Sequence, residues 1–341
     1  MSEKIDAHTL IKNIDNTPIV DVRSPAEFEK GHIPNAINIP LFSNKEREQV
    51  GTRYKKSGRE NALELGLELV GPKLSDFVKI GKKIAPNKRL MIHCWRGGMR
   101  SESMAWLFET SGLIVQVLEG GYNAYRKYIR EQFSLTENLI VLSGYTGSGK
   151  TDILIQLMDQ GEQVIDLEGL ANHRGSAFGG IGQNRQPTNE QFENDLAYQW
   201  NKLDMTKRIW IEDESITIGH NGVPDTLYRK MREAKVIRVN IPKSERVKRL
   251  VKEYAPLDKE ELKCAIERIH EKLGGLAAKQ AISALDNNDY ATTADIALTY
   301  YDKAYLKGLQ KRNPNAIKEV NFDHDNPAYT ASELIKLFAS K

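Results

Sequence analysis

Apolar residues come in short runs that end in glycine or charged residues, and this punctuation predicts strands that feed tight loops and helices. Ile19-Val20-Asp21-Val22-Arg23 reads as a short buried strand, and Ser24-Pro25-Ala26-Glu27-Phe28 opens a helix with proline at an early, tolerated position. The stretch from Gly31 to Pro40 reads as a turn into an edge strand, and Arg89-Leu90-Met91-Ile92-His93 is a second strand with Cys94 at its carboxyl end. Residues 101–110 form a helix with Met104, Ala105, Leu107 and Phe108 on its apolar face. Val115 to Leu118 is a further strand, closed by Glu119-Gly120-Gly121-Tyr122.

The rhythm then repeats. The expected strand 137–143 leads into Gly144, a helix spans 152–158, and Val164 to Glu168 is the next strand. Thr188 or Asn189 caps a helix, and Arg208 to Glu214 is an apolar strand ending in acids that continues through 215–220. A helix at 225–233 and a strand at 235–239 follow. Beyond residue 259 the period is helical: Leu262, Ile266, Ile269 and Leu273 share one side, and helices at 295–310 and 331–338 flank a short strand near 317–320. Cys264 falls inside that helical region and reads as a packing residue.

Two of the loops carry chemistry. Cys94-Trp95-Arg96-Gly97-Gly98-Met99-Arg100 joins a strand to a helix, where successive backbone N–H groups converge on one point. Such amides, with Arg96 or Arg100, lower a thiol's pKa and make Cys94 a candidate nucleophile or a holder of sulfur, selenium or an oxyanion. Gly144-Tyr145-Thr146-Gly147-Ser148-Gly149-Lys150-Thr151 is a phosphate-binding P-loop between strand and helix. Gly144, Gly147, Ser148 and Gly149 let the backbone wrap a phosphate, Lys150 adds positive charge, and Thr151 offers an oxygen that can meet a metal such as Mg2+. The polar segment 169–180 reads as a mobile substrate loop in which His173 and Arg174 face phosphate or RNA. Glu212 or Glu214 can orient a metal or a water near the cradle or simply form a polar strand end, and Arg246, Lys248 and Arg249 make a basic helix start that suits an RNA backbone or a solvated helix face.

Composition narrows the setting. A length of 341 residues predicts two domains, and two cysteines exclude a disulfide framework or a multi-cysteine zinc site. No apolar run reaches the roughly 18 residues of a membrane span, and Met1-Ser2-Glu3-Lys4 is no signal peptide, so a cytoplasmic protein without a membrane partner is expected. The net charge of +3 permits an RNA partner without demanding one.

Asp21-x-Arg23, Glu27-Phe28, Gly31-His32-Ile33-Pro34-x-Ala36-x-Asn38-Ile39 and the Cys94 loop resemble a rhodanese domain. The loop from Cys94 to Arg100 is one residue longer than the usual sulfurtransferase loop and has the Cys-x5-Arg length of dual-specificity phosphatases, leaving room for more than a single sulfur. Together with the P-loop, His93-Cys94-Trp95-Arg96-Gly97-Gly98-Met99-Arg100-Ser101, Asp166-Leu167-Glu168-Gly169-Leu170-Ala171-Asn172-His173-Arg174-Gly175-Ser176 and Glu212-Asp213-Glu214-Ser215 make the chain resemble the bacterial tRNA 2-selenouridine synthases. The resemblance implies an α/β protein: a rhodanese-like parallel-sheet domain over 1–133, then a P-loop NTPase-like α/β domain with a helical C-terminal region over 134–341. It also implies an enzyme that replaces the 2-thio sulfur of the wobble uridine in tRNAs for Lys, Glu and Gln. Geranyl diphosphate first alkylates that sulfur; selenophosphate, supplied by another enzyme, then displaces geranylthiol. Sequence leaves three further readings: an ATP-dependent tRNA sulfurtransferase, a nucleotide-gated RNA-binding module without catalysis, and a phosphatase.

Overall fold

A computed structural model describes residues 2–134 and 138–339, and the chain divides into two compact units, one ending at Gln132 and the other beginning at Phe133. Both are α/β units built on parallel sheets.

The first unit runs β1 (Glu3–Ile5), α1 (Ala7–Asn13), β2 (Ile19–Asp21), α2 (Pro25–Lys30), β3 (Ala36–Asn38), α3 (Asn44–Val70), α4 (Leu74–Ile84), β4 (Arg89–His93), α5 (Met99–Thr110), β5 (Ile114–Leu118) and α6 (Gly121–Gln132). Its sheet has the order β1-β5-β4-β2-β3 with every pairing parallel, and β3 is an edge as expected. The central β4 is buried from Leu90 onward and packs with Val20, Met104, Phe108 and Val117. Two near-continuous apolar runs side by side are what a sheet covered on both faces requires.

The Asp21-x-Arg23 pattern has a tertiary cause. Both side chains are fully buried, Arg23 Nη2 donates to Asp21 Oδ2 at 2.6 Å and to the Gly31 carbonyl at 2.7 Å, and the guanidinium lies 3.8 Å from the Tyr122 ring centroid. A buried charge is tolerated only with such partners.

The second unit runs β6 (Leu139–Gly144), α7 (Lys150–Asp159), β7 (Gln163–Ile165), α8 (Leu167–Ala171), α9 (Asn189–Trp200), β8 (Ile209–Glu212), β9 (Thr217–Ile218), β10 (Asn221–Gly222), α10 (Asp225–Glu233), β11 (Lys235–Asn240), α11 (Lys243–Tyr254), α12 (Lys259–Arg268), α13 (His270–Leu273), α14 (Gly275–Asp286), α15 (Tyr290–Leu309), β12 (Ile317–Asn321) and α16 (Pro327–Ala339). The five-stranded parallel sheet has the order β12-β11-β6-β8-β7 around a core of Ile140, Leu142, Ile153, Trp210 and Val239, and α12, α14 and α15 form a separate helical cluster. Glu137 of the expected strand lies outside the described residues.

Several expectations are corrected. The strand expected through Glu168 stops at Ile165, because Asp166 caps α8 by accepting from the Gly169 amide. Residues 217–222 do not prolong β8 but form the antiparallel pair β9–β10. Cys264 is exposed rather than packed, being off the stripe of Leu262, Ala265 and Ile266 that faces the helical cluster. Among the described residues no helix is long and apolar enough to cross a membrane.

Candidate active sites: a thiol cup and a phosphate cradle

In the first unit β4 delivers Cys94 to a loop that wraps back toward α5. The loop can close because Gly121, at φ +61°, sits against it: a Cβ there would lie 2.4 Å from both the Cys94 carbonyl and the Gly97 amide nitrogen. Cys94 is nearly buried, and its Sγ accepts from the Ser101 hydroxyl at 3.3 Å. Burial pushes the thiol pKa up, but hydrogen bonds from the Ser101 side chain and from the Arg96 and Ser101 amides, with the charge of Arg100, outweigh it and hold the thiol below its ordinary value.

The cup has a volume of about 620 Å³ and is lined by Glu27, Lys30, Arg47, Cys94, Trp95, Arg96, Gly98, Met99 and Arg100. Arg96 is exposed, while Arg100 donates to Glu27 Oε2 at 2.8 Å. Glu27, read from the sequence only as part of a motif, is therefore the counter-ion of the arginine that closes the loop. His93, behind Cys94, is fully buried; burial first, and then the nearby Arg23, keep its pKa low despite Asp21, so it is neutral.

In the second unit β6 runs into the glycine-rich loop and α7 starts at Lys150, so amide groups and a helix N-terminus face one cavity of about 460 Å³. Gly144, Gly147, Ser148, Gly149, Lys150 and Thr151 all line it. Desolvation lowers the Lys150 pKa, yet Glu168, Glu214 and Glu212 overcome it and raise the pKa, so the ammonium is retained. Arg174 lines the cavity and lies 3.4 Å from Glu253, whereas His173 is absent from the lining and its Nδ1 accepts from the Gly175 amide.

The acids crowd beneath Lys150. Glu212 is fully buried; its Oε2 accepts from the Glu168 amide and its Oε1 has no partner. Burial, then repulsion from Glu168 and Asp166, drives its pKa well above the ordinary value. Glu214 is pushed up to about 8, by burial first and then by Glu168, against the pull of Lys150. Thr151 donates to Glu168 Oε2 at 3.0 Å, and among the described residues no three His, Cys, Asp or Glu side chains are grouped to hold a metal ion.

A carboxyl whose folded pKa lies above its unfolded value near 4.5 stabilises the fold at low pH, and that contribution fades as pH rises toward the folded value. As pH rises from about 5 to about 8, the melting temperature of the wild type should therefore fall relative to that of Glu214→Gln, which lacks this titration. Calorimetry at stepped pH checks this, and parallel curves for the two proteins would refute it.

Residues far along the chain complete the cradle. Tyr305 on α15 meets Ser143 at 2.7 Å and packs on Tyr145, while the Tyr301 hydroxyl accepts from the Ala177 amide and ties α15 to the 169–180 loop. Arg249 also lines it. Of the basic helix start, Arg246 and Arg249 are committed within the fold while Lys248 stays exposed, as a solvated helix face would have it. Arg246 is buried against Asp302, Arg249 is held by Asp152, Glu253 and Asp325, and Lys248 pairs with Glu245. Beside the cradle a narrower apolar cavity of about 60 Å³ opens among Phe178, Leu250, Leu262, Leu285, Leu298 and Tyr301. The two cavities share Thr146, Ser176, Leu250, Tyr254 and Tyr301.

A parallel-sheet unit presenting a cysteine loop and a second presenting a P-loop define a two-domain α/β protein of rhodanese-like and P-loop class. Comparison with known families gives the same pair: residues 6–128 match the rhodanese-like domain, and residues 137–328 match the AAA domain of tRNA 2-selenouridine synthase. The tRNA 2-selenouridine synthase of Shewanella frigidimarina is 35% identical, the match covering 89% of this chain and 92% of that one, and the Bdellovibrio bacteriovorus protein of the same name shows the same identity and coverage. Among solved structures, the N-terminal domain of a Clostridium difficile protein described as ATP/GTP binding is 42% identical, covering 37% of this chain and 98% of that one, with a TM-score of 0.36. The chain belongs to the tRNA 2-selenouridine synthase family, and it is an enzyme of the transferase class.

Proposed function

We propose that the protein exchanges sulfur for selenium at carbon 2 of the wobble 2-thiouridine in tRNAs for Lys, Glu and Gln. The observation that carries this reading is the phosphate cradle with a small apolar cavity sharing its wall, a combination that suits the diphosphate and the first carbons of a prenyl diphosphate. In the first stage the P-loop amides and Lys150 hold the diphosphate of geranyl diphosphate, with Arg174 beside them, and the isoprenoid tail enters the apolar cavity as Phe178 and Tyr301 give way. The thiouridine sulfur attacks the first geranyl carbon, the carbon–oxygen bond breaks, and diphosphate departs with the electron pair. Lys150 stabilises the charge that develops on it. The uridine N3 proton is lost, leaving a neutral thioether.

The second stage belongs to the thiol cup. Selenophosphate docks with its oxyanion toward Arg96 and Arg100, its selenium attacks carbon 2, and geranylthiol leaves with a proton. Water then cleaves the selenium–phosphorus bond, giving phosphate and 2-selenouridine. Cys94 assists as a thiolate beside the selenium.

The test is to incubate the protein with thiolated tRNA and geranyl diphosphate, then with selenophosphate, and to analyse the nucleosides by mass spectrometry. Geranylated and then selenium-containing uridine is the expected sequence. ATP-dependent uridine adenylation with sulfur transfer would replace this reading with that of a tRNA sulfurtransferase, and RNA binding without turnover would favour a nucleotide-gated module.

A further inference from the structure

Helix α3 is the part of the first unit that its own core explains least. Only Ala62 and Gly66 of its residues are buried, and residues 52–61 are exposed without interruption. Val50 near one end and Leu69 and Val70 at the other pack on the core, so the exposed run between them has little packing reason of its own to be helical. Its tip, Arg53-Tyr54-Lys55-Lys56-Ser57-Gly58-Arg59, holds four cations and no anion. Among the described residues none of those four cations has an ion-pair partner, in contrast to Arg246, Lys248 and Arg249. Like charges so close repel one another and weaken the helix. Tyr54, 58% exposed, stands among them.

The root of α3 is tied to the thiol cup. Asn44 accepts from the Ala26 amide, and Arg47, which lines the cup, lies 3.8 Å from Glu27, the partner of Arg100. From Asn44 to Ser57 the helix extends about 20 Å. At Gly58 the chain turns, with φ +84° and no atom within 4 Å of where a Cβ would lie, so glycine is there for its backbone conformation and not for space.

We propose that α3 is an RNA-gripping arm: Arg53, Lys55, Lys56 and Arg59 bind the ribose-phosphate backbone of the RNA substrate and Tyr54 stacks on an unpaired base, while the strand runs on along the arm toward its root beside Cys94. The inference rests on the reading that this chain acts on tRNA. A row of unpaired cations with an exposed aromatic fits single-stranded or loop RNA, because phosphates neutralise the repulsion and any base offers a ring face.

The experiment measures binding of unmodified tRNA by the full chain over a range of salt concentrations. It compares wild type, a variant carrying Arg53→Ala, Lys55→Ala, Lys56→Ala and Arg59→Ala, and a control carrying Lys82→Ala, Lys83→Ala, Lys88→Ala and Arg89→Ala. The control removes equal charge from exposed residues before and at the start of β4, at the end of that strand opposite Cys94. The arm variant should bind about tenfold or more weakly and lose about 3 from the slope of log K against log salt, with the control close to wild type. Circular dichroism melting verifies that the variants are folded; the substituted side chains are exposed and the repulsion among them is relieved, so the melting temperature of the arm variant should not fall. Equal affinity and slope for the arm variant and wild type would overturn the arm while leaving the tRNA reading intact, and that is also the result expected if the surface serves a protein. Equal losses in arm variant and control would overturn it as well, by showing a general charge effect. Failure of wild type to bind tRNA would remove the underlying reading, and the arm with it.

Discussion

Cys94→Ala is expected to leave geranylation of thiolated tRNA within about twofold of wild type and to reduce selenium insertion by about 10³-fold or more, the scale on which loss of a reacting group is felt. The thiol sits where the Ser101 hydroxyl, two loop amides and Arg100 together favour its ionised form. Alanine fills much of the same space and keeps the Gly97–Gly121 closure of the loop, so the cup persists while its sulfur is gone. Separate assays with thiolated tRNA and with tRNA already geranylated distinguish the two stages. Loss of geranylation alone would contradict the division of labour between the units.

Lys150→Met should show the reverse pattern. Replacing the ammonium with an uncharged chain of similar length removes the positive charge at the departing diphosphate, and geranylation should fall by about 10²- to 10³-fold, as when one preorganised donor is removed from a transition-state anion. Selenium insertion into tRNA that has already been geranylated should persist. The variant also removes the cation that holds Glu214 down, so that carboxyl should be pushed still higher than in the wild type. Nucleoside mass spectrometry from each starting RNA checks the first two outcomes. Equal loss in both assays would mean that the cradle serves both stages.

What could be read from the sequence follows from how local each cause is. The strands ending at Cys94 and at Gly144 are apolar runs followed at once by glycine-rich loops, and both the pattern and its consequence lie within a dozen or so residues. Asp21-x-Arg23 was legible as a motif, but its reason depends on Tyr122, a hundred residues on. Arg246 and Arg249 looked free because their partners, Asp302 and Asp325, are 56 and 76 residues away. Tyr301 and Tyr305 enter the cradle because α15 packs on α11, a tertiary event that periodicity does not announce. Residues 43–84 offered no period to read, since α3 lacks an apolar stripe; α4 does bury Phe77 and Gly81, but in a helix of only 11 residues.

The Glu27–Arg100 pair gives the cup an internal stand-in for a bound anion. Any oxyanion that settles on Arg100 has to displace or share a carboxylate already 2.8 Å away, so its gain is the difference between two anions rather than the whole attraction of one. An abundant, weakly held ion such as ordinary phosphate gains little from that exchange. On the proposed reading, a visitor that also engages the sulfur of Cys94 gains something the carboxylate cannot offer, and the cup would discriminate by what is bonded to phosphorus as well as by charge.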